Sequence, residues 1–139
     1  MNRIVVDASF SGAWLLPDET SPTAEKTLEV VLLGEDTLWV PSLWSYEMTN
    51  LLLSACRRQR IGRREVKKGL ELIDQLPIRY SDFPEFQCRE RMAQLGLENQ
   101  LFAYDAAYLE LADRLKAPLY TNDMALRKAA KELHLLPDL

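Results

Sequence analysis

The chain has 139 residues, 47% of them apolar, and a net charge of −4 at pH 7. That fits one folded domain, residues 1–139, around one core, and it excludes a disordered chain. The acidic balance argues against a non-specific nucleic-acid binder. The only cysteines, Cys56 and Cys88, are isolated, which argues against a structural zinc site. No signal-peptide pattern opens the chain and no window approaches membrane-spanning length, so the expectation is a soluble cytoplasmic protein.

Residues 3–7 read as a first strand, three consecutive aliphatics buried on both faces and ending in Asp7. Ser9 to Leu16 can form a short helix closed by Pro17. Ser21 is a good N-cap, Pro22 suits the first helical position, and the helix that follows stops at Gly34. Thr37–Val40 is a second strand, cut off by Pro41. Ser42 then caps a long helix to about Arg60, broken by Gly62. Arg63 to Leu76 is helical, with Val66, Leu70 and Ile73 on one side. Residues 77–80 form a shorter third strand. Phe83 to Leu95 reads as helix ending at Gly96, and a further helix covers about Phe102 to Leu115. Residues 118–121 are a fourth strand, Met124 to Leu133 the last clear helix, and Leu135-Leu136 a short edge strand. Strands alternating with helices predict a parallel sheet covered on both faces.

Four carboxylates stand out. Asp7 ends the first strand, where it can cap a helix or serve a site outside the strand ends. Glu47 projects from an apolar stripe of Leu43, Trp44 and Leu51, where an unpaired carboxylate is costly. Asp105 interrupts a stripe of Leu101, Phe102, Tyr108, Leu109 and Ala112, unless it is itself the N-cap of a helix starting at Ala106. Asp123 follows the fourth strand and can be an N-cap and a ligand at once. In a parallel sheet all four can face one cleft, where they would repel and raise each other's pKa unless a cation were bound. Mg²⁺ or Mn²⁺ prefers such oxygens, and a carboxylate-held metal suits phosphodiester hydrolysis. His134, in a leucine-rich stretch, reads as surface or packing.

Val5-Val6-Asp7-Ala8-Ser9, Glu47 in an early long helix, the run Tyr104 to Ala112, and Pro118-Leu119-Tyr120-Thr121-Asn122-Asp123 together resemble the PIN-domain family. The likeness is to its VapC-type toxins of toxin–antitoxin pairs. It implies an α/β/α sandwich with sheet order 3-2-1-4-5. It further implies a Mg²⁺- or Mn²⁺-dependent endoribonuclease, commonly a homodimer, inhibited by a small antitoxin. Asp7, Glu47, Asp105 and Asp123 match the family's acidic positions, as catalytic and metal-holding residues. Ser9 and Thr121 match supporting hydroxyls. The short, proline-ended Leu135-Leu136-Pro137 marks the fifth strand poorly.

Seven basic residues fall between residues 57 and 68: Arg57, Arg58, Arg60, Arg63, Arg64, Lys67 and Lys68. They form a phosphate-backbone contact for RNA, a solvated helix surface, or a docking face for an acidic antitoxin segment. Trp14, Trp39 and Trp44 read as core or partner contacts rather than base-stacking platforms. Leu51, Leu52 and Leu53 cover more than one helix face, so one side can meet a partner. The rival readings are a non-catalytic PIN-like RNA-binding or regulatory module, and another strand-end-Asp enzyme. The second lacks an acid two residues after Asp7, where Ser9 stands.

Overall fold

The four apolar runs form one parallel sheet: β1 (Asn2–Val6), β2 (Asp36–Pro41), β3 (Ile78–Ser81) and β4 (Leu119–Tyr120). The structure is a computed structural model, described here for residues 2–19, 21–81 and 84–138. The strand order is β3-β2-β1-β4. Ile4 pairs with Leu38, Val5 with both Trp39 and Leu119, and Val40 with Tyr80. Ile4, Val5 and Val6 are fully buried, as a strand covered on both faces requires.

Seven α-helices among the described residues complete an α/β/α sandwich: α1 (Ala8–Ser11), α2 (Pro22–Leu32), α3 (Leu43–Arg57), α4 (Arg63–Gln75), α5 (Phe86–Asn99), α6 (Ala103–Leu115) and α7 (Met124–Glu132). Helix α6 packs on β1, β2 and β4, with α5 and α7 against it. Helices α2 and α3 pack on β2, with α1 and α4 against α3. The core of α6 is Leu109, Leu111 and Ala112, and burying each leucine contributes about 1.5–3 kcal/mol. Trp44 of α3 is fully buried. Trp14 donates its indole N–H to the Ala24 carbonyl, 2.8 Å, and Trp39 is packed against the core.

The α2 boundaries follow the sequence. The Ser21 hydroxyl accepts from the Ala24 N–H, Pro22 opens the helix, and Gly34 follows its end at φ +75°. Other boundaries differ: the helix expected from Ser9 to Leu16 stops at Ser11 as α1 and gives way to a 3-10 turn over Gly12–Trp14. Ser42 sits before α3 in helical conformation and makes no side-chain cap bond. Helix α3 ends at Arg57 rather than Arg60, because Gln59 turns left-handed at φ 61° and the Arg60 N–H returns to the Ala55 carbonyl. Helix α5 runs past Gly96 to Asn99 and is closed by Gln100 at φ 56°. Gly96 instead admits the Leu101 carbonyl, which a Cβ there would meet at 2.8 Å. The expected start of this helix at Phe83 lies outside the described residues.

On α4, Val66 and Ile73 are half-buried, but Leu70 is 41% exposed. Buried Gly69 takes the inner position against Leu52. No fifth strand forms among the described residues. The Leu119 N–H donates to the Leu135 carbonyl at 2.7 Å, and Leu135 is buried at the edge of β4, but no ladder extends from that bond.

Candidate active site

The sheet order reverses direction at β1, with β2 and β3 on one side and β4 on the other. Parallel α/β sheets place their ligand crevice outside the strand ends at such a switch point. Asp7 directly follows β1, and Thr121, Asn122 and Asp123 directly follow β4.

Asp7 is 4% exposed and fills two roles. It is the N-cap of α1, accepting from the Phe10 N–H at 3.0 Å. It also accepts from the Ser9 hydroxyl at 2.7 Å on Oδ1 and from the Thr121 hydroxyl at 2.5 Å on Oδ2. Those hydroxyls are themselves oriented from β4's end. The Asn122 N–H donates to Ser9 Oγ at 2.9 Å, and the Asp123 N–H donates to Thr121 Oγ1 at 3.0 Å. Two relays thus run from consecutive backbone amides through one hydroxyl each to the two oxygens of Asp7. Burial raises the Asp7 pKa, the three donors pull it down, and the nearby Asp105 charge adds to the rise, which prevails.

Glu47 lies one turn into α3, half-buried as its stripe implies. Burial raises its pKa, a hydrogen bond from Tyr108 opposes that, and the charges of Asp105 and Asp7 add to the rise. Asp105 is the third residue of α6 rather than its N-cap, a position held by Phe102. It too is raised, by burial and then by the charge of Asp123. Asp123 is exposed and caps α7, accepting from the Leu126 N–H at 2.8 Å. The expected capping and clustering therefore coexist. Asp7, Glu47 and Asp105 each feel the charge of another of the four acids, and none of the four forms an ion pair with Lys, Arg or His among the described residues.

The donor set is all carboxylate and hydroxyl oxygen, which suits a hard divalent cation. No three or more His, Cys, Asp or Glu side chains among the described residues stand together as a group that could by itself hold a metal ion. Mg²⁺ needs no such group, since it is commonly held through one or two carboxylates with water completing the octahedron. On donor chemistry the residues fit the ion.

Three contributors are not legible from spacing. Tyr108 is 1% exposed and donates its hydroxyl to Glu47 Oε1 at 2.5 Å. Buried Ser11 donates to the Asp7 carbonyl at 2.8 Å and accepts from Trp44 Nε1 at 2.9 Å, tying α3 to the end of β1. Asn122 holds the Ser9 carbonyl through its side-chain amide at 3.0 Å. For Tyr108, the available signal is a phenol on a core face one turn from an acid, since a buried hydroxyl needs a partner.

The basic residues Arg57, Arg58, Arg60, Arg63, Arg64, Lys67 and Lys68 are all exposed around the α3–α4 junction. Arg60 is engaged, with bonds of 2.9 and 2.8 Å to Asp18 and one of 3.2 Å to Glu19. Ten residues of α3, about 15 Å of helix rise, separate Arg57 from Glu47. His134 is exposed in a left-handed turn at φ 59°. No helix among the described residues is long and apolar enough to cross a membrane.

The family model of the PIN domain matches residues 4–132. A VapC ribonuclease of Mycobacterium bovis is 31% identical over 123 residues, covering 88% of this chain and 87% of the relative. Ribonuclease VapC9 of Mycobacterium tuberculosis matches to the same extent. Ribonuclease VapC3 of Pyrobaculum aerophilum is 29% identical over 126 residues, 89% of this chain and 92% of its own. With a family match that runs from β1 through α7 and includes all four acids, this chain belongs to the PIN-domain family.

Proposed function

We propose that the protein is a metal-dependent endoribonuclease, the toxin of a toxin–antitoxin pair, that hydrolyses RNA phosphodiester bonds. The observation that supports this reading is the pairwise charge coupling of Asp7, Glu47 and Asp105, and of Asp105 with Asp123, beside the carboxyl ends of β1 and β4, with no cation paired to them among the described residues. Folding opposes such crowding, so a bound divalent cation is the natural complement. The ribonuclease names of the VapC relatives support RNA as the substrate and a small antitoxin as the partner. A homodimer is the assembly we propose, in keeping with what the family likeness implies.

Asp7, Asp105 and Asp123 would hold Mg²⁺ or Mn²⁺, with Glu47 as a further ligand or as the group orienting the attacking water. The ion supplies Lewis acidity to the phosphate and lowers the pKa of a bound water. Asp7 is fixed in place by three hydrogen bonds, two on Oδ1 and one on Oδ2, so of its about four lone-pair sites the one left, on Oδ2, points in a set direction. Ser9 and Thr121 transmit the amide dipoles of Asn122 and Asp123 to it. Asp123 is rigid as an N-cap yet exposed to an incoming strand. Arg57, Arg58, Arg63, Arg64, Lys67 and Lys68 would carry the phosphates of a longer RNA, with Arg60 held on Asp18 as a brace.

The test is cleavage of a labelled mixed RNA pool with Mn²⁺ or Mg²⁺, and again with EDTA, beside an Asp7→Asn control. Chelator-sensitive cutting that disappears in the variant is the expected result. Metal-dependent cutting retained by the variant would sink the site assignment. Neither metal binding nor cutting by the wild type would point to a non-catalytic PIN-like interaction module.

A further inference from the structure

We propose that Tyr108 is the positioning residue for Glu47: its hydroxyl holds one carboxylate oxygen and so aims the other into the acidic cleft. The inference deepens the ribonuclease reading and rests on it. Tyr108 stands one turn beyond Asp105 on α6, with its ring packed in the core and 1% exposed. The ring is therefore a fixed point. Its hydroxyl donates to Glu47 Oε1 at 2.5 Å and has no other partner among the described residues.

Glu47 needs such a donor. It is half-buried, it faces the charges of Asp105 and Asp7, and no cation pairs with it among the described residues. The Tyr108 hydroxyl is the one hydrogen bond it receives among those residues. A carboxylate has about four lone-pair sites on two oxygens. The bond occupies a site on Oε1 and leaves Oε2 without a partner among the described residues. It also joins α3, which carries Glu47, to α6, which carries Asp105. Outer partners of this kind orient the groups that hold a metal.

A merely structural tyrosine would also satisfy its hydroxyl on the nearest acceptor. Tyr108→Phe keeps the ring and removes only the donor. It is to be compared with Glu47→Gln and with the double variant, in the full chain. The readouts are the unfolding midpoint, Mn²⁺ affinity by titration, and kcat and KM on a cleaved RNA. The expected result is a folded Tyr108→Phe protein with Mn²⁺ affinity weakened about 10- to 100-fold. Its kcat should fall with KM unchanged. In the Glu47→Gln background, adding Tyr108→Phe should change neither Mn²⁺ affinity nor kcat further, because the two residues act as one unit.

Equal losses in both backgrounds would overturn the proposal, as would wild-type Mn²⁺ binding and turnover in Tyr108→Phe. If Tyr108→Phe does not fold, Glu47→Asp withdraws the carboxylate from the hydroxyl while keeping its charge, and should lose Mn²⁺ affinity to a similar degree. Unaltered affinity there would also overturn it. A wild-type protein that binds Mn²⁺ but cuts nothing would overturn the ribonuclease reading and leave the binding measurements to decide this one. A wild-type protein that binds no Mn²⁺ would overturn both.

Discussion

The acidic edge gathers four like charges and the basic junction seven, with opposite energetic meaning. At the α3–α4 junction the cations stand in water, where repulsion between neighbours is screened within about 10 Å at ordinary salt. At the sheet edge Asp7 is buried, Glu47 and Asp105 are partly so, and each carboxyl is raised by burial before any neighbour acts. The first cluster folds at little cost. The second makes folding work against charge and so makes a cation a stabilising ligand. Crowded charge points to a site only where the fold has also removed the water.

The largest effect should come from breaking the acidic side. Asp7→Asn is expected to reduce RNA cleavage roughly 100-fold or more, beyond the usual loss for an outer-shell partner. The same variant should keep or raise the metal-free unfolding midpoint, since it removes one of the repelling charges. Thermal unfolding beside a cleavage assay checks both halves, and a large fall in the midpoint would show Asp7 to be chiefly a structural cap.

The basic side should respond more mildly and in a different variable. Arg63→Ala with Arg64→Ala is expected to weaken RNA binding and to flatten its salt dependence, by about 0.7 in log–log slope for each phosphate no longer neutralised. The unfolding midpoint should stay put, because exposed substitutions generally lie within about 0.5 kcal/mol. An unchanged salt slope would reassign the patch to a protein partner or to plain solvation.

Varying the pH sharpens the contrast on one molecule. Asp7, Glu47 and Asp105 have folded-state pKa values above their ordinary ones. Between the unfolded and folded values the native state binds more protons, so their contribution is full at the acid end and lost as pH rises through the folded values. The metal-free midpoint should fall from about pH 5 toward neutrality, and Mn²⁺ should restore more of it at the higher pH. Asp113 works the other way. Burial alone would raise it, but Lys116 and Arg91 outweigh burial and hold it below the ordinary range, so its contribution disappears at lower pH. A metal-free midpoint that climbs steadily toward neutral pH would show that groups like Asp113 dominate.

Much of this was legible in the sequence, for reasons that differ between residues. Asp7 and Asp123 are marked by strand ends, and both are also helix caps, since a cap bond takes only one of a carboxylate's about four lone-pair sites. Glu47 is marked by the apolar stripe it interrupts, whereas Asp105 has only the later half of its expected stripe, Tyr108, Leu109 and Ala112, because Leu101 and Phe102 precede α6 and Phe102 is its exposed N-cap. Tyr108 is hidden by that same logic, because a tyrosine on a core stripe looks like packing until its hydroxyl's partner, 61 residues away, is known. Arg60 reads as one cation among seven, and only the tertiary fold brings Asp18 and Glu19 to it. Gly96 reads as a helix stop because glycine ends many helices by turning left-handed, but here Gln100 makes that turn four residues later.

Gly96 gives the smallest expected effect and tests the scaffold between the two clusters. In a helix interior, Gly→Ala alone stabilises by about 1 kcal/mol. Here the new Cβ would meet the Leu101 carbonyl oxygen at 2.8 Å, and that oxygen belongs to the backbone entering α6. A side-chain tip could swing aside, but a carbonyl at this junction moves the start of α6 with it. Overpacking of that kind costs about 1–3 kcal/mol, so the net should be a modest loss of stability. Asp105 is the third residue of that helix, so cleavage should drop further than the fraction unfolded accounts for. The contrasting control is Gly69→Ala, whose Cβ meets the Leu52 methyls at 2.9 Å and leaves the acidic edge alone. Leu52 is itself fully buried and has no solvent to swing into, so the variant should lower the midpoint and spare the activity of the folded fraction. Equal activity losses per unit of stability in the two variants would mean that the start of α6 does not position Asp105.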